Sequence, residues 1–80
     1  MNAAEVQSLI EAGLPGARVR VASSDDTHFE ATIVAAQFEG KRMIQRHQLV
    51  YGTLGARMGR EIHALTMQVL TPQEADAGRG

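Results

Sequence analysis

Apolar and polar positions along this chain change period several times, and each change marks an element. Val6, Leu9, Ile10 and Leu14 recur at helical spacing behind Asn2, which reads as the N-cap of a first helix. Gly13 and the Pro15-Gly16 pair end it. Residues 18–22 then alternate, with Val19 and Val21 on one face and Arg18 and Arg20 on the other, the pattern of a half-buried strand. After a polar turn at residues 23–27 the alternation resumes over 28–35, setting Phe29, Ala31 and Ile33 against His28, Glu30 and Thr32. The two strands are predicted to pair as an antiparallel hairpin.

A turn at 38–40 leads into the clearest helical signal, in which Met43, Ile44, His47, Val50, Tyr51 and Leu54 form the predicted buried stripe. Gln45, Arg46, Gln48 and Thr53 fall on the opposite face, and Gly52, Gly55 and Gly59 weaken any continuation toward Arg60. Residues 62–70 place His63, Leu65, Met67 and Val69 on one face; both faces are fairly apolar, which predicts an interior strand. Thr71-Pro72-Gln73-Glu74 has the spacing of a capping box with proline at the first helical position, so a short last helix is expected to start there. Residues 75–80 are expected to fray. A helical crossover between the second and third strands makes them parallel. The prediction is one α+β domain over residues 1–80, a three-stranded mixed sheet with helices on one face.

Eighty residues allow one small core. The absence of cysteine excludes a disulfide scaffold, a thiol nucleophile and an all-thiolate metal site, so any metal must use His, Asp or Glu, or thiolates lent by a partner. The first apolar stretch is broken by Gln7, Ser8 and Glu11 and has no basic leader, and nothing approaches a membrane span; a soluble cytoplasmic protein with no membrane role is expected. A net charge of -1 argues against binding nucleic acid by bulk electrostatics. The total conceals an asymmetry, because Lys41, Arg42, Arg46, Arg57 and Arg60 gather in the middle of the chain.

The three histidines are the candidate ligands. His63 follows a polar Gly-Arg-Glu turn at the head of the third strand, where its ring can stay near solvent as a nitrogen donor, or simply bond a backbone carbonyl. His28 opens the second strand beside the Asp25-Asp26 turn, whose carboxylates read as solvating groups with diverging side chains. His47 lies near the buried stripe and reads as a core-edge residue. None has a partner at the spacing of a helical metal motif. The serines lack a nucleophile elbow, and no glycine-rich phosphate loop is present, so no enzyme or small-molecule substrate is expected.

Residues 28–54 and 61–74 together resemble the BolA family, and within it the short, cysteine-free IbaG-like branch, in a resemblance that covers almost the whole chain from the first helix to Glu74. The resemblance rests on His28-Phe29, Phe38-x-Gly40, Arg46-His47, Val50-Tyr51, Ile62-His63-Ala64-Leu65 and Thr71-Pro72 at matching spacings. It implies an αββααβα fold similar to the class II KH domain. It also implies partnership with a monothiol glutaredoxin and a bridging [2Fe-2S] cluster, with thiolates from glutaredoxin and glutathione and an imidazole from His63. Some members of the family add a Cys or His from the loop between the first two strands. Residues 23–27 hold neither, which leaves His28 as the nearest second candidate, with Asp25 or Asp26 as a harder and less suited oxygen ligand.

The expected role is therefore a non-enzymatic adaptor in iron–sulfur cluster assembly, trafficking or iron sensing, with Arg46, Arg57 and Arg60 helping to dock the partner and no cofactor in the isolated chain. The alternative is a DNA-binding transcriptional regulator using residues 41–60. Gln48, where many relatives carry arginine, removes a positive charge from that surface, and the tryptophan that commonly follows the Thr71–Glu74 motif is missing. Weak homodimerisation is left open.

Overall fold

The computed structural model describes residues 1–78 of the chain. Helix α1 spans Ala3–Gly13 and opens with the expected cap: the Glu5 N–H donates to Asn2 Oδ1 at 2.9 Å, and the Asn2 N–H donates to Glu5 Oε1 at 3.2 Å. Strand β1, Arg18–Ala22, pairs antiparallel with β2, His28–Val34, in a register that sets Val19 opposite Ile33 and Val21 opposite Ala31. The intervening turn closes with Asp26 at φ 57°, a left-handed conformation that aspartate tolerates.

A single full helix, α2 at Met43–Leu54, crosses back from β2 to β3, and short 3₁₀ turns at Ala36–Phe38 and Gly55–Arg57 flank it. These turns occupy the places where the αββααβα formula adds a further helical segment. Gly55, at φ 58°, takes the chain out of α2 in a conformation that a side chain would strain. Strand β3, Ala64–Leu70, pairs parallel with β2, as the crossover predicts. The Thr71 hydroxyl then accepts from Glu74 N–H at 3.1 Å, and α3 runs over Pro72–Ala77.

The strand order is β1-β2-β3, so β3 lies at an edge. This corrects the expected interior strand: Thr66 and Gln68 are exposed, and only Val69 is fully buried. Ala75 and Ala77, in the segment expected to fray, belong to α3, while residues 79–80 lie outside the described residues. Phe29, Ala31 and Ile33 from β2 meet Val6 and Ile10 of α1 and Val50 and Leu54 of α2 in one core closed by Phe38, Ile62 and Val69. The other sheet face carries Arg20, Glu30, Thr32, Thr66 and Gln68.

One helical face differs from its prediction. Met43, Ile44 and Tyr51 are 54%, 66% and 38% exposed, whereas Arg46 is 8% exposed and shares the buried face of α2 with Val50 and Leu54. Periodicity located the helix and misjudged its rotation, because the Arg46 side chain finds inside partners that no pattern of apolar residues reveals. Its Nε donates to the Lys41 carbonyl at 3.0 Å, its Nη1 to the Val69 carbonyl at 3.2 Å, and its guanidinium lies 5.9 Å from the Phe38 ring centre.

Candidate functional site: a histidine pair at the head of two parallel strands

The parallel pairing begins with His28 opposite Ala64, so the residue before β3, His63, meets the residue before β2, Thr27. The Thr27 carbonyl accepts from the His63 N–H at 3.1 Å and from the Ala64 N–H at 3.3 Å. These bonds hold the two chain segments together and set the His28 and His63 rings edge to face, with centres 5.5 Å apart and planes at 79°. Both side chains are exposed. The predicted reading of His63 as a ring near solvent on a fixed backbone therefore matches its position.

The loop leading to His63 is compact. The Arg57 carbonyl accepts from Arg60 and Ile62 N–H groups at 3.1 and 3.0 Å, Gly59 N–H donates to the Ile62 carbonyl at 2.8 Å, and Ile62 is fully buried. A buried residue directly before His63 anchors it from one side and β3 from the other.

His28 is held differently. Its Nδ1 lies 2.8 Å from Asp25 Oδ2, while Asp25 Oδ1 accepts the backbone N–H groups of His28 at 2.9 Å and Thr27 at 3.0 Å. The His28 backbone bond, then its ring, then the Thr27 bond hold the Asp25 carboxyl well below the usual carboxylate range. Asp25 was expected to solvate the turn or, less suitably, to serve as an oxygen ligand; in the structure it organises that turn. The aspartate-before-turn spacing, three residues ahead of a histidine, is the sequence signal that could have marked it.

A cleft of about 470 Å³ on the open sheet face borders His28, lined among others by Ser23, Ser24, Glu30 and Thr66. His47 stands apart, half-buried and edge-on to Tyr51 with ring centres 6.4 Å apart, the core-edge role expected of it. Among the described residues no group of three or more His, Asp or Glu side chains could enclose a metal ion. The His28–His63 pair offers two imidazoles, and among the described residues there is no complete metal site.

The basic residues do not form one surface. Lys41 and Arg42 precede α2, whereas Arg57 and Arg60 follow it, and twelve helical residues separate these groups by roughly 18 Å. Because α2 leads into the start of β3, Arg57 and Arg60 lie at the histidine end of the domain and Lys41 and Arg42 at the other. The expected placement of Arg46 on an exposed basic face is corrected: it is buried and paired with Glu74 at 2.6 Å. No helix is long and apolar enough to cross a membrane among the described residues.

The family model for BolA-like proteins matches residues 7–74. The chain belongs to the BolA-like family. A solved BolA homologue from Coxiella burnetii superposes with a TM-score of 0.84 at 39% identity, over 95% of this chain and 97% of that one. BolA-like protein 1 of Homo sapiens is 39% identical over 68% of this chain and 39% of its own length. The protein named DNA-binding transcriptional regulator BolA in Haemophilus influenzae is 41% identical over 61% of this chain and 48% of its own. The matched region thus spans less than half of either of these two BolA relatives.

Proposed function

We propose that this BolA-like chain is a non-enzymatic adaptor in iron–sulfur cluster assembly, trafficking or iron sensing. It would pair with a monothiol glutaredoxin and supply imidazole to a shared [2Fe-2S] cluster. The observation that supports this reading is the exposed His28–His63 pair on a backbone fixed by the Thr27 carbonyl.

The donor set fits a shared site. A [2Fe-2S] cluster takes four protein-type ligands, commonly thiolates, with two imidazoles replacing two of them in one class. This chain has nitrogen donors and no cysteine, so it fits as the imidazole side of such a site when a glutaredoxin and glutathione bring sulfur. His63 is the principal donor and His28 the second candidate. The cluster would supply redox chemistry or be the cargo itself. The chain's own part is to hold two rings at a solvent-facing edge, and Arg57 and Arg60, at the same end, would help to dock the partner.

The test is co-expression with a monothiol glutaredoxin, purified without oxygen in the presence of glutathione and read by visible absorption and circular dichroism. Expected is a cluster spectrum distinct from that of the glutaredoxin alone and lost or altered by His63→Ala. An unchanged spectrum in that variant would sink the reading.

A DNA-binding regulator is the second reading, favoured by the name of the Haemophilus influenzae relative. The separation of Lys41 and Arg42 from Arg57 and Arg60, together with the burial of Arg46, leaves it less support.

A further inference from the structure

We propose that Asp25 is a positioning residue: its carboxylate fixes the His28 ring with the proton on Nδ1 and leaves Nε2 as a second nitrogen donor beside His63. The inference rests on the reading of the histidine pair as ligands, and it makes the chain a two-imidazole donor.

A carboxylate oxygen has no hydrogen to give, so the 2.8 Å contact between Asp25 Oδ2 and His28 Nδ1 assigns the proton to Nδ1. In a neutral ring the lone pair is then on Nε2. Histidines that bind metals commonly donate their other ring N–H to a carboxylate in this way, which sets both tautomer and orientation. Asp25 can do this because it is itself held. Oδ1 takes the N–H groups of Thr27 and His28, at 3.0 and 2.9 Å. Ser23 braces the same turn, donating to the His28 carbonyl at 2.6 Å and accepting from Asp26 N–H at 3.0 Å.

The two rings are neighbours at one end of the sheet, their centres 5.5 Å apart. His63 is fixed through its backbone and His28 through its ring, so each is placed by a different device.

Asp25→Asn separates positioning from the shape of the turn. The amide oxygen can keep the Thr27 and His28 backbone bonds, while the amide nitrogen donates to Nδ1 and moves the ring proton to Nε2. Ring nitrogen NMR of the isolated protein, at about pH 8 where an ordinary imidazole is neutral, should show His28 protonated at Nδ1 and the variant protonated at Nε2. Titration of the isolated protein with Co(II) should then show affinity falling about 10–100-fold in Asp25→Asn. A wild-type His28 protonated at Nε2 overturns the proposal, whether or not the variant folds. So does a glutaredoxin complex whose cluster spectrum is unchanged by both Asp25→Asn and His28→Ala while His63→Ala destroys it; there the adaptor reading survives alone. An unchanged spectrum in His63→Ala as well brings down the adaptor reading itself.

Discussion

Arg46 and Glu74 form a forked ion pair, Nη1 to Oε1 at 2.6 Å and Nη2 to Oε2 at 3.3 Å, that joins the start of α2 to α3. The same guanidinium bonds the carbonyls of Lys41 and Val69, so one side chain ties two helices and the end of β3 together. Glu74 is half exposed, which limits the Coulomb part of the pair through solvent screening. The larger loss on removing Arg46 comes from its packing stem and the carbonyls it leaves without a donor.

Arg46→Ala is expected to destabilise the domain by about 2–3 kcal/mol. Arg46→Lys should recover only part of that, because a single ammonium cannot span the fork and both carbonyls. Urea unfolding of the three proteins checks this; an alanine variant as stable as the wild type would show that the pair is dispensable.

Glu74 gives the fold an acid-sensitive window. Hydrogen bonding from Arg46, then from the Thr71 N–H, lowers its pKa from 4.5 to about 2. A carboxyl whose folded pKa lies below its unfolded value contributes stability that is complete above the unfolded value and is lost as pH falls through the folded one. Stability should therefore decline from about pH 4.5 to about pH 2. Glu74→Gln should flatten that part of the profile attributable to this residue, as thermal unfolding across pH would reveal; a profile of unchanged shape would count against the assignment.

Two glycines in helices should respond to alanine with opposite sign. A Cβ on Gly13 would lie 2.7 Å from Thr53 Cβ and 3.4 Å from Thr53 Cα, where α1 meets α2, so Gly13→Ala should cost about 1–3 kcal/mol through overpacking. A Cβ on Gly52 meets nothing within 4 Å. Gly52→Ala should gain up to about 1 kcal/mol from helix propensity. Paired denaturation curves decide it, and a stabilised Gly13→Ala protein would mean that the helices separate easily.

Binding to duplex DNA is expected to be weak and to fall with added salt without sequence preference, since the Lys41–Arg42 and Arg57–Arg60 groups lie at opposite ends of α2. Neutralising Lys41 and Arg42 together should lower the salt slope by about 2 at most. Tight, sequence-selective binding that depends on these residues would favour the regulatory reading instead.

The nature of most elements was legible because the forces that choose them are local. Asn2 with Glu5 and Thr71 with Glu74 satisfy the first amide groups of their own helices, and the alternation of Phe29, Ala31 and Ile33 needs only a core on one side. The histidines were legible as candidates by residue type, and the family resemblance ranked His63 above His28. The bond between Asp25 and the His28 ring was missed, although it stays within one turn, because adjacent aspartates read as solvating groups until the direction of each side chain is known.

By itself, then, the sequence determined the order and type of the elements, the caps and the parallel crossover, all of which follow from short-range preferences and from chain handedness. Only the tertiary structure decided that α2 buries Arg46 and exposes Ile44, that β3 is an edge strand, and that His28 meets His63. Each depends on partners distant in the chain: Glu74 and the Val69 carbonyl for Arg46, the strand order for β3, and the Thr27 carbonyl for the histidine pair. A hydrophobic pattern carries no record of which remote polar group will complete a buried guanidinium or bring two imidazoles together.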